Sequence, residues 1–136
     1  MAKKTVVNFG PLPVELINRT LGLDEELEPG EAVLTAKAQA HIATDHGEDY
    51  DLVMRYMGLV IANPTYIGQS PHHSEAFEMV RRITVEGTSE VILAAVNFTR
   101  NSFGNYNIHS AYRITEAKVD KRVQAGHLCN PKKKGP

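Results

Sequence analysis

One cysteine, Cys129, occurs in 136 residues. A lone thiol excludes an intrachain disulfide and any cysteine-based zinc site. Its place beside a lysine-rich end suits an idle thiol better than a nucleophile. No apolar run approaches the roughly 20 residues needed to span a bilayer. The opening stretch MAKKTVVNFG has two lysines but not the apolar segment of a secretory signal. A cytoplasmic protein without a membrane partner, encoded as a complete short gene, is the expectation. Phosphate-loop, dinucleotide and calcium-loop signatures are missing. So is the G-x-S-x-G nucleophile elbow. GEDYDLVM clusters three acids without the calcium-loop spacing, and no cofactor is expected.

Net charge is also small, at −1. A protein that coats nucleic acid without sequence preference is normally basic, so that class is disfavoured. An enzyme gripping one phosphate is not. The charges that are present are segregated. Acids crowd residues 24 to 51, from Asp24 to Asp51. Arg81, Arg82, Arg100, Arg113, Lys118, Lys121, Arg122 and Lys132 to Lys134 fill the C-terminal half. The length fits one domain with a core of its own.

GPLPVELINRTLGL reads as a helical arm, with Pro13 in the first turn and Gly22 at the stop. DEELEPGEAV is a polar connector. Thr35 is a good N-cap for the alanine-rich AKAQAHIATDH, which Gly47 ends. Asp49 caps a second helix through YDLVMRYMGLVIA. Val53, Met57, Val60 and Ile61 make its buried stripe, and Asn63-Pro64 stops it. Strand periodicity follows in FEMVRRITVEG, with a turn at Gly87-Thr88-Ser89 and a central strand VILAAVNF. NYNIHSAYRI is the last strand and AKVDKRVQAGHL a last helical piece. The expected fold is α+β. Helices pack on one face of an antiparallel meander of about four strands. The expected organisation is an N-terminal arm and connector (1–32), a folded domain (33–128) and a disordered basic tail (129–136).

Histidine is the main candidate for chemistry. His41 and His46 are five apart, about 140° around a helix, so the i, i+4 metal-binding geometry is absent. His46 also suits the helix end, where the carbonyl pole favours imidazolium. His41 reads equally as a partly buried histidine. His72 and His73 sit in a polar loop and His127 near the tail, and solvation accounts for them. Simple alternation in the last strand puts Tyr106, Ile108, Ser110, Tyr112 and Ile114 on one face. His109, Arg113 and Asn107 fall on the other, as a phosphate site or a solvated surface. Ser110 and Tyr112 have no activating partner in sequence and read as hydrogen-bond donors.

The stretches AQAHIATDHGEDY, IANPTYIG and IHSAYRI together resemble the phage-associated branch of the barnase–EndoU–colicin–RelE-like nucleases, small toxin-type RNase domains. The resemblance covers roughly residues 33 to 115, and it implies a barnase- or RelE-like sheet. It also implies a metal-independent endoribonuclease in which the RNA 2′-OH is the nucleophile. A base takes its proton, an acid protonates the leaving 5′-oxygen, and cations hold the phosphorane-like charge. By matching position, His41 and His46 supply acid–base work, with His46 either catalytic or orienting. Ser110 and Tyr112 complete the catalytic set. Tyr66 lines the pocket, and Arg81 or Arg82 clamps the phosphate, with Arg113 and His109 as further substrate-binding residues. The implied partners are RNA and a cognate immunity or antitoxin protein.

Two other readings stand beside it. One is a non-catalytic phage or toxin-associated module that binds a protein or RNA. The other is an ADP-ribosyl-transferring toxin, for which no arginine–serine–glutamate signature is clear.

Overall fold

The computed structural model describes residues 5–69 and 74–132. His72 and His73 lie outside them. Seven strands form one sheet, in the order β1-β2-β6-β5-β4-β3-β7. Their ranges are β1 Val7–Pro11, β2 Glu31–Leu34, β3 Tyr66–Gly68, β4 Ala76–Val85, β5 Thr88–Asn97, β6 Tyr106–Arg113 and β7 Leu128–Cys129. Four helices accompany them: α1 Val14–Leu21, α2 Ala36–Asp45, α3 Tyr50–Ala62 and α4 Glu116–Gln124. The class is α+β, but the four-stranded antiparallel meander is corrected. The sheet is mixed, because β2 runs parallel to β6. β1, β2, β3 and β7 are short additions around a long antiparallel β4–β5–β6 core. Strands of two to five residues leave little periodicity to detect.

The helix ends follow their local chemistry. Gly22 takes a left-handed conformation (φ 61°) after α1, and its N–H donates to the Asn18 carbonyl. The Thr35 hydroxyl accepts from the Ala38 N–H and caps α2. Val53, Met57, Val60 and Ile61 are the buried residues of α3, as their spacing predicts. Asp49 makes no side-chain cap; its carboxylate is engaged elsewhere, as described below. The β4–β5 turn falls one residue earlier than expected. Glu86 (φ 49°) and Gly87 (φ 79°) form it, and Thr88 already pairs with Val85. Two consecutive left-handed residues match the twist that a two-residue hairpin requires.

The sheet is buried on both faces. Met79, Ala94 and Ala111 are cross-strand neighbours and belong to the larger core, with Ile42, Met57 and Ile61 from the helices. Their sequence neighbours Val80, Leu93 and Tyr112 point the other way and pack with Val119 and Leu128. Helices therefore cover both faces, not one. α4 covers the second face through Val119.

The N-terminal segment is no appendage. β1 and β2 are sheet members, and Ile17 of α1 is fully buried in the main core. The Asn18 carboxamide donates to the Leu27 carbonyl (3.1 Å) and accepts from its N–H (2.7 Å), holding the acidic connector down. The expected disorder from 129 onward is corrected for 129–132. Cys129 pairs with Ile67, and the Lys132 N–H donates to the Thr20 hydroxyl (2.8 Å). Residues 133–136 lie outside the described part.

Gly68 is required where β3 meets β7. A Cβ there would lie 1.7 Å from the His127 carbonyl oxygen. Backbone cannot yield as a side-chain tip can, so Gly68→Ala must displace β7 and expose Leu128. We expect a loss of about 2–4 kcal/mol in chemical denaturation, with amide exchange accelerating first at Leu128. An unchanged midpoint would show that β7 contributes nothing to stability.

Candidate active site

β6 has β5 along one side. On the other, β2 pairs only with its first residues, Tyr106 and Asn107. Beyond that point α2, which follows β2 directly, packs against β6. This arrangement carries the alanine-rich helix to the strand that bears Ser110 and Tyr112.

The pairing of β5 with β6 then slips. Ala95 faces Ser110, but Val96 faces Ile108, so His109 is an extra residue in a β-bulge. Bulges re-aim side chains. Ile108 and Ala111, three apart, both lie in the main core. Tyr112 and Ile114 lie on the opposite face, and exposed His109 turns out between them. The simple two-face alternation of this strand is corrected accordingly: Tyr106 and Tyr112 do not share a face, and His109 does not stand with Arg113.

Across three strands Glu78, Ala95 and Ser110 form one row. The next row is Val80, Leu93 and Tyr112. The small Ala95 and Ser110 beside the larger Leu93 and Tyr112 leave a hollow. His41, His109, Ser110, Tyr112 and Glu78 line a cavity of about 180 Å³ there. His41 and His109 also line a second cavity, of about 340 Å³, with Lys37, Asn97 and Asn107. The two imidazoles thus stand between two adjoining chambers.

His41, Tyr112 and Glu78 each have a partner. His41 Nε2 lies 3.0 Å from Asp45 Oδ2, one helical turn on. His46 ends α2, its N–H donating to the Ile42 carbonyl (2.8 Å). Its ring stacks on Tyr112 with centroids 4.9 Å apart at 26°. His46 therefore fixes the phenol and lines neither chamber. From the other side, the Arg122 guanidinium of α4 donates to Glu78. Burial disfavours the charge on Arg122. The Glu78 carboxylate outweighs that and Tyr112 adds to it, so the guanidinium titrates above its ordinary range.

The expected phosphate clamp does not gather at this hollow. Arg81 Nη1 donates to the Asn63 carbonyl (2.9 Å), closing the end of α3. Arg82 makes a two-pronged bond to Glu116 (2.7 and 2.9 Å), with its carbon 5.9 Å above the Tyr66 ring. Arg113 is held by Asp49 (2.8 Å) and Glu90 (3.3 Å). The Asp49 carboxylate also accepts the Arg113 backbone N–H. Nearby carboxylates engage both Arg82 and Arg113, and Tyr66 packs with the second core. His41, His109, Ser110 and Tyr112 come together; Tyr66, Arg81, Arg82 and Arg113 lie elsewhere.

Glu78 and Arg122 escaped the sequence reading. The only local hint of Glu78 is an acid between Phe77 and Met79, which ordinary alternation assigns to solvent. Among the described residues no group of three or more His, Cys, Asp or Glu side chains is arranged to hold a metal ion. No helix among them is long and apolar enough to cross a membrane. No family model matches the chain, and neither does any curated protein or solved structure.

Two consequences concern these ion pairs. The Glu78 side chain is 6% exposed and that of Arg122 27%. Removing the cation strands a buried carboxylate, so Arg122→Met should cost about 2 kcal/mol, short of a fully buried pair. The double variant Glu78→Leu/Arg122→Met should recover much of that loss in urea denaturation. A double-variant loss equal to the sum of the Glu78→Leu and Arg122→Met losses would mean that the pair carries no coupling.

Arg82 holds the Glu116 carboxyl below the ordinary carboxylate range by hydrogen bonding. The folded state then binds that proton less readily than the unfolded one. Its stabilisation is complete above the unfolded carboxylate pKa and disappears as pH falls through the folded value. Both side chains are near half exposed, so the effect is below about 1 kcal/mol. Glu116→Gln should melt a few degrees lower than the wild type at pH 7 and at the same temperature near pH 2. A gap that persists at the acid end would contradict this ionic origin.

Proposed function

We propose that this protein is a metal-independent endoribonuclease whose reaction takes place in the hollow between α2 and β6. The observation that carries the reading is the meeting of His41 and His109 in one chamber with Ser110 and Tyr112. The histidines come from different elements, and general acid–base cleavage needs two such groups facing one substrate. The stretches that resemble the phage-associated nuclease group, AQAHIATDH and IHSAYRI, supply them.

The roles follow from the neighbours of each imidazole. The Asp45 carboxylate, 3.0 Å from His41 Nε2, favours the tautomer with the proton there and leaves the Nδ1 lone pair as base. His41 takes the proton of the 2′-OH, whose oxygen attacks the adjacent phosphorus. The bond from phosphorus to the 5′-oxygen breaks, and His109 in its imidazolium form protonates that oxygen. The products are a 2′,3′-cyclic phosphate and a free 5′-OH. Ser110 and Tyr112 donate hydrogen bonds to the non-bridging oxygens, where charge grows in the transition state. Arg122 lies behind Tyr112 and favours that donation electrostatically. RNA is the substrate in this reading, and an immunity protein that covers the hollow is its natural inhibitor.

The engagement of Arg81, Arg82 and Arg113 in internal bonds favours one rival, a binding module of the same architecture without catalysis. Purified protein incubated with total RNA in EDTA separates the two. We expect cleavage with cyclic phosphate ends, a bell-shaped pH dependence, and a fall of about 10²–10⁴ in rate for His41→Ala or His109→Ala. Intact RNA together with uneventful expression in the absence of an inhibitor would favour the binding module. Cleavage unaffected by either histidine variant would overturn the assigned site.

A further inference from the structure

The β5–β6 loop carries the most exposed large apolar side chain among the described residues. Phe103 is 87% exposed, against 59% for Val6, the next. Single apolar residues on a surface are ordinary. This one differs because its loop is tightly tied. The Asn101 side chain accepts the Phe103 and Asn105 N–H groups (2.9 and 3.1 Å) and donates to the Asn107 side chain (2.9 Å). The Asn101 backbone closes the same turn, donating to the Asn105 carbonyl (2.7 Å) and accepting from the Gly104 N–H (3.0 Å). The loop is also seated on the connector between α1 and β2. A Cβ on Gly30 would lie 2.8 Å from both the Gly104 carbonyl oxygen and the Tyr106 ring, so this close approach requires glycine. An aromatic ring is thus presented to water on a backbone that is already ordered.

The two ends of this loop form part of a groove of about 370 Å³. Phe98, Thr99 and Arg100 line it just past β5, and Tyr106 lines it at the start of β6. Its other wall is the connector. Leu23 and Leu27 give that wall apolar surface, and Asp24, Glu25, Glu26 and Glu28 give it charge. All four acids are exposed, and none forms an ion pair among the described residues. Arg100 is the only cation among the described residues of the lining, and its Nη1 donates to the Pro29 carbonyl (3.3 Å).

We propose that the β5–β6 loop and the acidic connector form a docking surface for a basic protein segment, with Phe103 as its anchor. Aromatic anchors concentrate binding energy at protein interfaces, and a loop already ordered loses little entropy on binding. The groove at the base of the loop takes an apolar side chain of the partner between Leu23, Leu27 and Phe98. Lysine or arginine residues flanking that side chain meet the four acids, which sets the partner's charge and its docking register. The same acids repel a phosphate backbone, so the occupant is a protein and not a nucleic acid. This surface does not depend on the ribonuclease reading.

The test uses the full chain, isotopically labelled for NMR, and end-capped synthetic peptides. Lys-Leu-Lys-Lys-Leu-Lys carries both features of the partner. Lys-Ser-Lys-Lys-Ser-Lys keeps only the charge, and Glu-Leu-Glu-Glu-Leu-Glu only the apolar side chains. We expect the first to bind about tenfold more tightly than either of the others and to shift the amide resonances of residues 23–28 and 98–106. Phe103→Ser should weaken it about tenfold, and Glu25→Lys/Glu26→Lys by a similar factor. Melting temperatures should not change, because all three side chains are exposed. No binding of the first peptide, equal binding of the first two, shifts elsewhere on the molecule, or undiminished affinity in Phe103→Ser would each overturn the surface. Sedimentation over a range of concentrations tests the other occupant. Self-association of the wild type that Phe103→Ser abolishes would assign the surface to a second copy of the chain and overturn the basic partner. Single-stranded RNA that moves the same resonances would overturn it as well.

Discussion

The extra residue at His109 in the β5–β6 pairing is the constraint on which the hollow between α2 and β6 depends. With regular pairing, Ser110 and Tyr112 would share a face with Ile108 and be driven into the main core. The bulge lets Ile108 and Ala111 both bury, three residues apart, while Ser110 and Tyr112 turn to the other side. Bulges disrupt the ladder locally and concentrate near functional sites because they re-aim side chains in this way. Here the gain is a strand that contributes to a packed core and to an open hollow within five residues.

The second condition is what lies beside β6. A bare strand edge is a template for unwanted pairing. Two devices shield this one. β2 pairs with the first residues and then gives way to α2, and Asp49 accepts the Arg113 N–H further along. Covering the edge with a helix also delivers His41 to the hollow and His46 to the ring of Tyr112. Protection of the sheet and assembly of the hollow are one structural solution. The ion pairs around it have a similar double effect. Glu78 enters a largely apolar face, and Arg122 from α4 neutralises it while standing behind Tyr112.

The engagement of the arginines shows why charge runs read along a chain mislead. Arg81, Arg82 and Arg113 lie in a basic half of the sequence, and a clamp on phosphate is a natural expectation from that. Folding brings Glu116, Asp49 and Glu90 within reach of the last two, and the open end of α3 within reach of the first. A guanidinium held by a carboxylate in bidentate or near-bidentate fashion has little capacity left for a ligand.

Local chemistry was legible in the residues themselves. The Thr35 cap, the Gly22 stop, the buried stripe of α3, the Asn63-Pro64 end and the long β4–β5 hairpin all follow from propensity and periodicity, which act over a few residues. The pairing of His41 and His46 with Ser110 and Tyr112 as one group rested on a resemblance in short motifs. What only the tertiary structure decided is non-local. It includes the parallel β2–β6 pairing, the bulge at His109, the partners of the arginines, and the buried acid Glu78 with its cation 44 residues away. None of these leaves a periodic trace, because each depends on which distant segment occupies the neighbouring space.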